Sequence, residues 1–243
     1  METKTFSLWP WMMLIARLVL FMSIQAVFAL GFLLAGFSNA WEAAANWWPF
    51  VVTIANLICI ALLSWLFMQD GKRYWDIFRI PKEHIKSDLL VLFVLLIFLG
   101  PVSYLPNILL GRLLFDDPQQ TLDLMIRPLP MWAVYASLLL FPVTQGLAEL
   151  PIYFAYTMPK LEFQGVPAWL AVSVASLFLA LQHIAVPFLF NFHFILWRAL
   201  MFVPFALTVG IVLHWRSRLL PYMAIIHVLM DLSFAAMLLG VAY

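Results

Sequence analysis

WAVYASLLLFPVTQGLAELPIYFAYTMP, residues 132–159, is long enough to cross a bilayer and carries a single charged side chain, Glu149. A helix needs about 20 mostly apolar residues to span a membrane. No lysine or arginine lies within ten positions of Glu149 in the chain. A carboxylate inside such a run is expensive, and by default it points to function.

The rest of the chain has the same character. It is 65% hydrophobic and 10% charged, with mean hydropathy +1.00. A soluble domain is nearer one half apolar and about one quarter charged. Seven stretches meet the length test, with eight possible: residues 9–37, 47–68, 89–110, 132–159, 168–186, 194–214 and 219–241. The expected fold is an all-α, polytopic transmembrane bundle. Its organisation divides into three N-terminal spans (1–110), an external loop or short surface helix (111–130) and four C-terminal spans (131–243). The N-terminus lacks a small-residue cleavage site after a short apolar core, so it reads as a retained first span.

Loop charges set the expected orientation. The segment 70–88 holds five Lys/Arg, the loop after the sixth span holds Arg216 and Arg218, Lys160 follows the fourth span, and Lys4 precedes the first. The opposite side offers Arg112 and Arg127. Positive charge stays inside, which places the N-terminus in the cytoplasm. Residues 70–88 could form an amphipathic helix on the inner leaflet, with Trp75, Ile77, Phe78 and Ile80 toward lipid. Trp9, Trp11, Trp41, Trp47, Trp48, Trp65, Trp75 and Trp132 read as interfacial anchors. A small, Trp-rich chain of this kind suits a bacterial inner membrane. The net charge of +1 argues against nucleic acid as a partner. The single Cys59 excludes a disulfide framework. Nothing in the chain fixes an oligomeric state.

Four ionisable residues stand out inside spans: Glu149, His183, His227 and Asp231. At 1.5 Å rise per residue, Glu149 is roughly 16 Å from Lys160, and His227 and Asp231 are roughly 13 and 20 Å from Arg218. His183 comes out roughly 24 Å into its span by the same rise. All four therefore fall near mid-bilayer, and His227 and Asp231 share one helix face. Pro151 leaves the carbonyl of Leu147 without its helical partner, and a broken turn beside Glu149 makes room for water. Arg17 and Arg198 lie toward span ends, where they could snorkel. His84, His193 and His214 are at span edges and read as structural.

A carboxylate beside an imidazole can activate water, and a second imidazole can donate to an oxyanion. Glu149, His183 and His227 could instead ligate zinc, but no HExxH signature supports that, and no cofactor is expected.

The arrangement resembles the CAAX-protease and bacteriocin-processing family of intramembrane endopeptidases. That family shows paired glutamates followed after three residues by arginine, continuing Gly-Tyr-x-x-Pro-Arg-Leu, then Phe-x-x-x-His, then His-x-x-x-Asn or Asp. ELPIYFAYTMPKL matches with Glu149, Tyr156, Pro159 and Leu161. LALQH, ending at His183, has Leu179 in place of Phe. HVLMD, His227 to Asp231, is intact. Leu150 replaces the second glutamate, Phe154 the arginine, Ala155 the glycine and Lys160 the second arginine. The resemblance covers about residues 132–235; the first three spans carry none of it. It implies that Glu149 and His183 activate water, while His227 and Asp231 line the oxyanion side. An ionised Asp231 only accepts hydrogen bonds, so orienting His227 is the better role for it. The expected substrate is a peptide or protein reached from the membrane. Loss of the charged counterparts of Leu150 and Phe154 also suits a non-catalytic membrane scaffold or immunity protein. A small proton-coupled transporter is a further alternative.

Overall fold

The computed structural model describes residues 6–117 and 119–243; the N-terminal Lys4 lies outside them. Among the described residues the regular structure is all helical. The helices are α1 (Trp9–Leu34), α2 (Ala40–Asn46), α3 (Trp48–Gln69), α4 (Ile85–Leu114), α5 (Gln119–Met125) and α6 (Met131–Leu150). They continue with α7 (Met158–Phe163), α8 (Ala168–Leu181), α9 (Phe192–Leu200), α10 (Val203–Trp215) and α11 (Leu220–Ala236). Grouped into continuous rods, they give seven stretches long and apolar enough to cross a membrane. This is the architecture of a multi-pass integral membrane protein, with spans close to those expected from sequence.

Local chemistry sets the ends. Pro10, Pro49, Pro204 and Pro221 sit in first turns, where their missing N–H costs nothing. α3 closes on Gly71, at φ 69°. Gly71 N donates to Met68 O, and Lys72 N to Phe67 O, the paired bonds of a left-handed cap. Pro151 ends α6 and opens a wide π-helical segment, Pro151–Thr157. The expected break beside Glu149 is therefore present. The stranded Leu147 carbonyl accepts the hydroxyl of Tyr74.

That contact explains a departure in the basic segment. Residues 70–88 form two short 3₁₀ turns, Tyr74–Phe78 and Lys82–His84, followed by the start of α4, instead of one amphipathic helix. The backbone is extended at Arg79 and Pro81 between them. Tyr74 is buried, and Ile77 and Phe78 pack on the core, while Trp75 and Ile80 stay exposed. Trp48 departs from its expected anchoring role too. It is buried, stacks edge-on against Phe141 and donates to Met125 O.

The connections sort to two ends of the bundle. One end gathers Asp70–Lys160 (2.6 Å), Asp88–Arg218 (2.9 Å) and Glu162–His214 (3.0 Å). The other gathers Glu42–Arg127 (2.8 Å) and a backbone bond from Met131 N to Tyr243 O (2.8 Å). α6 and α11 pack closely because Gly146 has no side chain. A Cβ there would lie 2.5 Å from Val228 Cγ2 and 2.9 Å from Ala224 O. Small residues permit such backbone approach between membrane helices. α4 stands apart, with Pro101 and Pro106 inside it and much of its length exposed.

Candidate functional site

Glu149 occupies the last turn of α6, one turn after Gln145 on the same face, and both are buried. The Gln145 amide donates to Glu149 Oε2. Arg17 Nη2 lies 3.3 Å from the same oxygen and 2.8 Å from Gln145 Oε1. Arg17 Nε donates to Gln182 Oε1 and its Nη1 to Asn56 Oδ1. Asn56 in turn donates to Gln145 Oε1 (3.0 Å) and Thr144 Oγ1 (3.2 Å), and Tyr153 donates to Gln182 Oε1 (3.2 Å). Four segments, α1, α3, α6 and the 3₁₀ turn after α8, thus meet on one guanidinium. Arg17 does not snorkel. It is fully buried, because a buried charge is tolerable when paired and hydrogen-bonded on every side.

Glu149 Oε1 takes no hydrogen bond among the described residues. Its nearest ring nitrogen is His227 Nε2, at 3.8 Å. That same Nε2 is 3.2 Å from Asp231 Oδ2, across one turn of α11. Asp231 Oδ2 is outside hydrogen-bond geometry there, and His227 Nδ1 is buried without a partner.

His183 lies in the 3₁₀ turn Gln182–Ala185 that ends α8. Its Nδ1 faces two carbonyl oxygens, Leu179 O (3.0 Å) and Ala180 O (3.2 Å). Carbonyls only accept, so Nδ1 carries the proton and Nε2 is the acceptor of the neutral ring. The ring lies over Phe202, with centroids 4.1 Å apart. Arg198 fixes the same turn, donating to His183 O (3.0 Å) and Val186 O (2.9 Å). It is 5% exposed, so it also does not snorkel.

The four residues singled out from sequence all line one cavity of about 330 Å³, together with Arg17 and Arg198. That volume lies within the range of ligand sites, roughly 300–1,000 Å³. Tyr104 of α4 and Met230 of α11 line it as well, yet are 61% and 43% exposed. The cavity wall thus reaches the exposed surface at α4 and at α11. Among the described residues no group of three or more His, Cys, Asp or Glu side chains is arranged to hold a metal ion.

Sequence reasoning missed Arg17, Asn56, Gln145 and Gln182. Neutral amides are less conspicuous than charges in an apolar span, and Arg17 stood close enough to a span end to be read as snorkelling. No family model, curated protein or solved structure matches this chain.

Proposed function

We propose that this chain is an intramembrane endopeptidase that hydrolyses a peptide bond of a membrane-associated peptide or protein, with Glu149 as general base. The observation that carries the reading is the asymmetry of Glu149. Oε2 is tied to Arg17 and Gln145, while Oε1 is left without a hydrogen bond. A carboxylate so held is ionised, oriented and has one oxygen available to take a proton.

In this reaction Oε1 removes a proton from water. His183 Nε2 accepts the water's second hydrogen as a hydrogen bond and aims its oxygen. The water oxygen bonds to the scissile carbonyl carbon, and the carbonyl pair moves onto its oxygen. That tetrahedral species collapses, the C–N bond breaks, and the proton on Glu149 passes to the leaving amine. The products are a carboxylic acid and an amine, and the base is regenerated. His227 Nε2, 3.8 Å from Oε1, and Asp231 beside that imidazole complete the polar wall. No step runs through a metal.

The resemblance to CAAX-protease-like endopeptidases supports the same assignment by motif order. The positions of that family's second glutamate and arginine are Leu150 and Phe154 here, both buried in the apolar core. Arg17, from another helix, faces Glu149 in their stead. A membrane-borne substrate would approach the cavity wall where Tyr104 and Met230 are exposed. Placement in a bacterial inner membrane, with the basic end in the cytoplasm, completes the proposal.

The test compares purified wild type with Glu149→Gln and His183→Ala on membrane-protein fragments in detergent, reading new termini by mass spectrometry. New termini with wild type alone are expected. Identical termini from wild type and Glu149→Gln would favour a structural role for the Arg17–Glu149 pair and a non-catalytic membrane partner.

A further inference from the structure

Two arginines lie on the cavity wall, and Arg17 meets Glu149 at 3.3 Å. Arg198 forms no ion pair among the described residues, although it is only 5% exposed. A guanidinium has five N–H donors. Here Nε donates to the carbonyl of His183 and one Nη2 hydrogen to that of Val186, while Nη1 has only the thioether of Met201, at 3.8 Å. A sulfur is a weak acceptor. The aromatic faces of Trp197 (5.6 Å) and Phe202 (5.4 Å) flank the charge without discharging it.

A buried cation that keeps an idle donor in a cavity calls for an anion. The other arginine on the wall is committed, although the uncharged amide of Gln182 and the His227 Nδ1 are also buried without a hydrogen bond. Arg17 has acceptors on Nε, Nη1 and Nη2. His227 Nε2 faces two carboxylates, and its Nδ1 is buried away from any partner. Asp231 does not donate when ionised.

We propose that Arg198 is the anion-holding group of this cavity, and that its Nη1 takes the oxyanion formed on the substrate carbonyl. The second half rests on the hydrolase reading above; the first does not. The bonds from Arg198 to the turn carrying His183 give a fixed relation between the two groups. The group that aims the water and the group that receives the negative oxygen move as one unit. Preorganised donors of this kind stabilise charge only as it develops.

The experiment uses purified full-length protein in neutral detergent, with Arg198→Lys and Arg198→Gln. Thermal unfolding first establishes that each variant is folded. Decylphosphonate, a tetrahedral anion, and decanamide, its neutral counterpart, are then titrated against tryptophan fluorescence, since Trp48 and Trp197 line the cavity. Phosphonate affinity should fall about tenfold or more in Arg198→Gln, less in Arg198→Lys, with decanamide affinity unchanged. On a cleaved peptide, Arg198→Gln should lower kcat by about 10²–10³ and leave KM nearly constant. Equal phosphonate binding by wild type and both variants overturns the proposal. So does a parallel loss of both ligands, which marks a purely structural arginine. Arg198-dependent phosphonate binding without any cleavage by wild type sustains the anion site and overturns the hydrolase reading.

Discussion

Arg17 shows how far a single side chain's reading depends on its neighbours. In sequence it is eight residues into a span, within reach of the interface. In the folded chain it is the hub that joins four segments around Glu149. The energetics give a specific expectation. Removing one member of a buried pair leaves the other charge uncompensated and costs about 3–5 kcal/mol, whereas replacing both is often neutral. Arg17→Met should therefore lower thermal stability strongly. Arg17→Met combined with Glu149→Leu should be more stable than Arg17→Met alone. Thermal unfolding of the purified proteins in detergent measures this, and additive losses would contradict the pairing. The ionisable residues of the site were legible because charge in an apolar run is conspicuous. Their partners were not, because neither Arg17's direction nor the amides of Asn56, Gln145 and Gln182 can be assigned until the helices are packed.

Two local devices in α6 position Glu149. The first is Gly146, whose missing side chain lets α11 approach and brings His227 to Glu149. Gly146→Ala should push the helices apart at a cost of about 1–3 kcal/mol and reduce cleavage, because Oε1 and His227 separate. The second is the break at Pro151. Its effect on the Leu147 carbonyl could be derived from the sequence, since proline has no N–H to offer. The group that rescues the carbonyl could not, because Tyr74 lies in a segment whose apolar residues suggested a lipid-facing helix. Tyr74→Phe should cost about 1 kcal/mol. In a Pro151→Ala background the cost should shrink, because the substituted backbone regains an N–H for Leu147 O. A double-mutant cycle reads the coupling, and its absence would sink this account of the turn.

For the molecule as a whole, the seven-span architecture was the most legible feature, since length and hydropathy alone require it. The sorting of ion pairs to two ends agrees with spans that alternate in direction. It leaves open only which end faces the cytoplasm, and the basic end is the expected one. Single cysteines at Lys82 and Asp117, both exposed, test this; the buried Cys59 should stay silent. A membrane-impermeant maleimide applied to whole cells should label Asp117→Cys and spare Lys82→Cys. The cavity that gathers residues of α1, α4, α6, α11 and the turn after α8 was not legible, because a hydropathy profile does not report packing.

The central claim is that Glu149 activates water to cut a peptide bond, and cleavage in water enriched in ¹⁸O tests it most directly. Peptides cut by the wild type should carry one heavy oxygen at each new C-terminus, and folded Glu149→Gln should yield none of these products. Equal cleavage by Glu149→Gln, or product termini free of solvent oxygen, would contradict the claim.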